Sequence, residues 1–299
     1  MSASATYRNT PTQTFDVGGR RFAYRRLGPD TGVPVVFLHH LGAVLDDWDP
    51  RVVDGIAAHH SVIAFDNRGI GASNGKTPTS VAAMAHDAIA VIRAMGIEQV
   101  DLLGFSLGGF VAQVIAQEEP QLVRRIVLAG TGPAGGEGID KVTPITIRAM
   151  VKGGLTFKDP KTYLFFTRTS NGKTAAREYM KRLKERSADR DKAISPIAFR
   201  AQLKAIHLWA KQEPSDLSGI RQPVLVANGD QDLMVPSSNS GELARRLPNA
   251  RLKLYPDAGH GGIFQYHDEF VAEVLEFLSS SDSSQPRRSP PGSAQPAGR

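Results

Sequence analysis

The sequence contains no cysteine. That absence excludes disulfides, thiolate nucleophiles and cysteine-ligated metals, and it suits a reducing compartment. Also missing is any apolar run near the roughly 20 residues needed to span a bilayer. The opening stretch MSASATYRNTPTQ carries no hydrophobic segment behind its first charge, so it does not read as a secretory signal. A cytoplasmic protein with no membrane partner is the expectation.

What is present is ample material for a core. The chain has 299 residues, 41% of them hydrophobic, enough for one large α/β unit with a smaller subdomain. The formal net charge of +6 is unevenly placed. Residues 133–215 hold 17 Lys/Arg against 8 Asp/Glu, a net of +9, which leaves the remainder near −3. A basic segment can bind nucleic acid. Here the charges interleave with apolar residues, as on solvated helix faces, so no nucleic-acid partner is expected.

Along the chain, residues 1–12 read as a flexible polar leader. TFDVGGRRFAYRRLG reads as a hairpin turning at Gly18–Gly19. PVVFLHH, HSVIAFDNRG, VDLLGFS and VRRIVLAGTG read as buried strands, with helices over TPTSVAAMAHDAIAVIRAMG and LGGFVAQVIAQEEP between them. From Pro133 the strand pattern stops, and residues 133–215 read as basic amphipathic helices. Strands resume in QPVLVANGD and ARLKLYPDAGH, and HDEFVAEVLEFL closes the fold as a helix. The expectation is an α/β protein with a mostly parallel central sheet and helices on both faces. Its core covers 13–132 and 216–279, interrupted by a helical insertion over 133–215. The Ser/Pro/Gly/Arg-rich tail over 280–299 has almost nothing to bury and should be disordered.

Gly104-Phe105-Ser106-Leu107-Gly108 matches G-x-S-x-G between an apolar strand and an apolar helix. That setting marks a strained turn that presents a serine hydroxyl above the sheet edge. The helix behind Ser106 supplies positive potential, and the Leu107 N–H can face a developing oxyanion. A serine nucleophile needs a base, and the base needs an orienting acid. Downstream histidines are His207, His260 and His267. His207 falls within a helical pattern and His267 opens the last helix, whereas His260 lies in a glycine-rich loop just past a strand. For the acid, Asp230 and Asp232 in NGDQDLMVP both qualify by position. The second oxyanion donor belongs to the loop after the first core strand, LHHLG, where the Leu41 N–H is the candidate. His39 and His40 are adjacent, without the i,i+4 spacing of a helical metal pair, so no metal is expected. Asp66 and Arg68 in DNRGIGAS should brace the loops below the site.

Taken in order, LHHLG, DNRGIGAS, GFSLGG, GDQDLMVP and AGHGG resemble the α/β-hydrolase superfamily over residues 14–279. Within it the chain resembles the capped bacterial esterase, haloperoxidase-like and lactonase group. The resemblance implies a Ser106–His260–Asp232 triad, a cofactor-free reaction and a helical cap roofing the substrate pocket. It implies a serine hydrolase acting on an ester or lactone of a small acyl substrate, in a monomer or homodimer. Perhydrolysis or another acyl transfer is the alternative within the same machinery, and a slow-turnover ligand-binding protein is the alternative outside it. One departure is local: the family's loop commonly reads His-Gly, and here His40 takes the glycine slot. His40, Trp48, Phe166 and Trp209 are the expected pocket residues, with Phe157, Tyr163 and Phe165 as further aromatic candidates of the insertion.

Overall fold

The computed structural model describes residues 5–280. Residues 1–4 and 281–299, which hold most of the expected tail, lie outside the described residues. The chain begins with an antiparallel hairpin, β1 (Gln13–Val17) and β2 (Arg20–Leu27). Gly18 and Gly19 both sit at positive φ in its turn, the pair of conformations that matches strand twist. The core strands follow as β3 (Val35–Leu38), β4 (Val62–Phe65), β5 (Val100–Phe105), β6 (Val123–Ala129), β7 (Val224–Gly229) and β8 (Ala250–Tyr255). Strands β3 to β7 are almost wholly buried, which is why their sequences are continuous apolar runs rather than alternating ones. β8 alternates Arg251 and Lys253 with apolar residues and closes one edge of the sheet.

The sheet runs β1-β2-β4-β3-β5-β6-β7-β8, with β2 antiparallel to its neighbours and every pairing from β4 to β8 parallel. The helices in chain order are α1 (Pro50–Ala57), α2 (Val81–Ala94), α3 (Leu107–Glu118), α4 (Val142–Thr156), α5 (Lys161–Leu164), α6 (Ser170–Arg182), α7 (Pro196–Ala210), α8 (Ser238–Arg246), α9 (Gly262–Gln265) and α10 (His267–Ser279). The step from β3 to β4 runs toward one edge and the step from β4 to β5 runs back. Right-handed crossovers therefore put α1 and α2 on opposite faces. α1 packs with α10 on one face and α2 with α3 on the other. This is the doubly covered α/β sheet expected from the alternation of strands and helices.

Between β6 and β7 the chain leaves the sheet to form α4, α5, α6 and α7. Their starts are locally encoded. Thr169 accepts from the Gly172 amide, and Ser195 accepts from Ala198 with Pro196 in the first turn. The insert is tied down by side chains reaching to the loop after β3. Arg182 makes a two-oxygen contact with buried Asp49, and Lys161 reaches Asp47 at 3.0 Å. Asp191, in the loop before α7, takes a bond from the fully buried Arg25 of β2.

The leader departs from expectation. Its described part folds back on the core: the Tyr7 ring is buried, its hydroxyl donates to the Leu45 carbonyl at 2.7 Å, and its amide donates to Asp54. One aromatic residue with a place to bury is enough to order a short polar segment, which composition alone does not reveal.

Candidate active site

The end of β5 and the start of α3 meet at Ser106, which has φ 55° and ψ −115°, a region that non-glycine residues adopt only under constraint. The turn is pinned on both sides. The Ser106 amide donates to the Ala129 carbonyl, and its own carbonyl accepts from Thr131 Oγ1 and the Gly109 amide, each at 2.9 Å. The flanking glycines are required by contact. A Cβ on Gly104 would lie 2.4 Å from the Gly108 carbonyl oxygen, and one on Gly108 would lie 1.9 Å from the Leu38 carbonyl oxygen. Side chains at either position would push strand, serine and helix apart.

Past β7, Asp232 is held by its own loop. Its Oδ1 accepts from the Met234 and Val235 amides at 2.8 and 3.0 Å. Its Oδ2 lies 2.7 Å from His260 Nδ1, with both side chains buried. A carboxylate oxygen can only accept, so Nδ1 carries the proton and Nε2 is left as the free base. Asp230, the competing acid, instead accepts from the Ala258 amide and shapes the turn. The loop bearing His260 is held from the insert: the Gly261 amide donates to the Phe165 carbonyl at 2.8 Å. The Phe105 ring packs 5.0 Å from the His260 ring. His207 is exposed on α7, and His267 begins α10 beside Asp268. Neither lines the cavity that holds Ser106 and His260.

That cavity has a volume of about 510 Å³ and lies between the core loops and the insert. His40, Leu41, Ser106 and His260 contribute the core wall, and Met150, Phe165, Phe199 and Leu203 are among the insert residues that face them. The amides of Leu41 and Leu107 have no acceptor among the described residues, and Leu41 lines the same cavity as Ser106.

His40 shapes this wall. Its Nδ1 sits 2.9 Å from the Leu41 carbonyl, so Nδ1 donates and the imidazole's bare nitrogen is Nε2, which has no protein partner among the described residues. Burial lowers the His40 pKa to about 4, and that of His39, packed against Trp48, to about 3. Both are neutral rings, as the desolvation of an imidazolium dictates. The loop they occupy is further fixed by Gln202 of α7, whose Oε1 accepts from the Gly42 amide at 2.8 Å. Asp66 also braces it, accepting from the Leu45 and Ala72 amides. Arg68 pairs with Asp87 at 2.8 Å. Burial raises the pKa of Asp47, but Lys161, His40 and the Val44 amide together outweigh it and the carboxyl ends below its ordinary value. Burial likewise opposes the Lys161 charge, and Asp47 with Asp159 outweighs it, so the ammonium titrates above its ordinary value. The two stay an ion pair at the cavity wall.

Three expected pocket residues are elsewhere. Trp48 is buried against Phe37, Phe105 and Phe264; Phe166 packs on Tyr179; Trp209 stacks on Phe110 at 5.3 Å. Large aromatic rings were drawn into the interior by the area they bury. Phe157 projects into solvent and Tyr163 bonds Thr156, while Phe165 does reach the cavity. Gln202, Lys161 and the Phe165 carbonyl went unpredicted. A glutamine or lysine on a basic helix carries no mark of a distant loop partner.

The sequence profile of the alpha/beta hydrolase fold family matches residues 33–265. An alpha/beta hydrolase fold protein from Chitinophaga pinensis has a solved structure that superposes with a TM-score of 0.89 at 38% identity, covering 93% of this chain and all of that one. A non-heme haloperoxidase of Rhodococcus erythropolis is 28% identical over 285 residues, 88% of this chain and 97% of its own length. A 2-hydroxymuconate semialdehyde hydrolase of Pseudomonas putida is 26% identical over 291 residues, 92% of this chain and 99% of its own length.

Proposed function

Because this chain belongs to the α/β-hydrolase family, we propose that it is a serine hydrolase that opens a carboxylic ester or lactone through an acyl-enzyme. The observation that carries the reading is Asp232 holding His260 in the tautomer that leaves Nε2 unprotonated, with His260 and Ser106 lining one cavity.

In the proposed reaction the Ser106 oxygen attacks the acyl carbon while its proton passes to His260 Nε2. The Leu41 and Leu107 amides receive the oxyanion, and the protonated His260 delivers the proton to the leaving oxygen. Asp232 stabilises the imidazolium without taking its proton. Water then attacks the acyl carbon, His260 accepts its proton, and the acid departs as Ser106 recovers its hydrogen. No metal or cofactor enters the scheme. The apolar wall of the cavity suits the acyl portion of a small substrate. The relative named as a haloperoxidase favours one second reading, in which hydrogen peroxide replaces water at the same acyl-enzyme.

The test is turnover of a panel of p-nitrophenyl esters and lactones by the full chain and by Ser106→Ala. Turnover should fall by about 10⁴-fold or more in the variant, with a fluorophosphonate probe labelling only the parent. Full activity in Ser106→Ala removes the proposal. Saturable binding of these compounds with negligible turnover by the parent replaces it with a ligand-binding role.

A further inference from the structure

Residues of α4 and α7 line the insert side of the cavity, and the outer surface of these helices is unusual for a soluble helix pair. On α4 the residues Ile147, Met150, Val151 and Leu155 fall at i, i+3, i+4 and i+8, the stripe that ordinarily faces a core. Here all four are exposed, while the inward face is built from Val142, Thr146, Ala149 and Gly153. Phe157, which ends the helix, is 98% exposed and adopts φ 54°, the left-handed position that glycine normally fills. Ile197, on the first turn of α7, is 80% exposed. Ile147 and Met150 also line the cavity, so the apolar strip runs continuously from the site to the outside.

The charged residues on the two helices themselves have one sign. α4 and α7 carry Arg148, Lys152, Arg200 and Lys204 and no acidic residue at all. None of the four is in an ion pair among the described residues. Pairing this face with a second copy would press cations against cations. A surface that offers both hydrocarbon and negative charge satisfies both halves of the pattern. We propose that the α4–α7 face docks peripherally on anionic lipid bilayers, with Leu155 and Phe157 entering the headgroup boundary and the cavity mouth turned toward the lipid. No helix among the described residues is long and apolar enough to cross a membrane, and surface docking needs none. Combined with the proposed hydrolase reading, this orientation selects acyl substrates that partition into membranes.

Vesicle co-sedimentation tests the docking separately from the chemistry. The full chain should bind phosphatidylcholine vesicles containing phosphatidylglycerol and bind pure phosphatidylcholine much less, with binding weakened by salt. The pair Leu155→Asp and Phe157→Asp should lower binding by about tenfold or more. Arg148→Glu with Lys152→Glu, which leaves the apolar strip intact, should lower it by about the same factor on anionic vesicles. Turnover of a soluble short-chain ester should be unchanged in both variants. Absence of binding to either vesicle overturns the proposal. So does a concentration-dependent doubling of mass, abolished by Leu155→Asp, without vesicle binding, which assigns the face to a second copy. If the vesicles bind and Ser106→Ala leaves ester turnover intact, the docking stands and the hydrolase reading fails.

Discussion

The core and the helical insert both border the cavity, but they hold their halves of it by different means. On the core side, the parts are fixed largely by close backbone: the Ser106 turn by Gly104, Gly108 and the adjoining strands, the Asp232 carboxylate by the next amides along. On the insert side, the parts are fixed by side chains that cross the molecule. Arg182 and Asp49 lie 133 residues apart in sequence, and Gln202 and Gly42 lie 160 apart. The first kind of construction is set by local sterics. The second depends on docking a separate helical unit onto one loop, residues 39–49, that also carries the Leu41 amide. The proposed oxyanion site is therefore supported by the insert as much as by the sheet.

Cutting the strongest of these crossings should have the largest effect. Asp49 is fully buried, and Arg182 is its charge partner and also donates to the Phe264 carbonyl. Replacing Arg182 by Met leaves a buried carboxylate with only the Arg51 amide to compensate it, a loss of about 3–5 kcal/mol of stability. Urea unfolding of the full chain measures it, and adding Asp49→Asn should restore part of the loss. A midpoint unchanged by Arg182→Met would mean that the insert is anchored elsewhere.

The same contrast explains what was legible in the sequence. The core strands, Ser106 and His260 could be read because each rests on a short pattern: a β-branched run, a Gly-x-Ser-x-Gly turn, a glycine-rich loop after a strand. Between Asp230 and Asp232 the residues alone left a choice, and geometry decided it: Asp232 meets the imidazole, while Asp230 closes the turn. The insert was readable only as helices. Which of its rings enter the cavity depends on rotation and docking, so Trp209 and Phe166 were misplaced, and Phe165 was one candidate among several. Tyr7 was hidden for the opposite reason, a single anchor in a segment of unpatterned composition.

Acid separates the two regions by the order in which they weaken. His39 and His40 are neutral in the fold, with pKa values lowered by burial to about 3 and about 4. In the unfolded chain a histidine takes a proton near pH 6.5. The stability from keeping them neutral is thus complete above about pH 6.5 and is lost as pH falls toward their folded values, by about 1.4 kcal/mol per unit for each ring over that window. Asp47, depressed below its ordinary value because Lys161 and its other partners together outweigh burial, keeps its contribution above about pH 4 and loses it only on further acidification. Melting temperatures should therefore drop between pH 6.5 and 4.5 through the β3 loop before the insert's ion pairs yield. His39→Asn should flatten that first drop. A profile level down to pH 4 would show that these rings are hydrated in solution.

The smallest effect tests the contact nearest the chemistry. Gln202 is fully buried on α7, and its Oε1 accepts from the amide directly after the proposed Leu41 donor. Gly42 sits at φ 77°, with the Phe199 ring 3.0 Å from where a Cβ would stand, so the loop is confined by the insert from two sides. Gln202→Leu keeps the bulk and removes the acceptor, freeing the Gly42 amide to turn and the Leu41 amide with it. Since an oxyanion donor acts in the transition state and not on the bound substrate, kcat should fall by about tenfold while KM moves little. Gln202→Glu, which retains an acceptor oxygen, should recover part of the rate. A raised KM with kcat intact would place Gln202 among the residues that shape the acyl pocket, and the core would then hold the oxyanion loop without help from the insert.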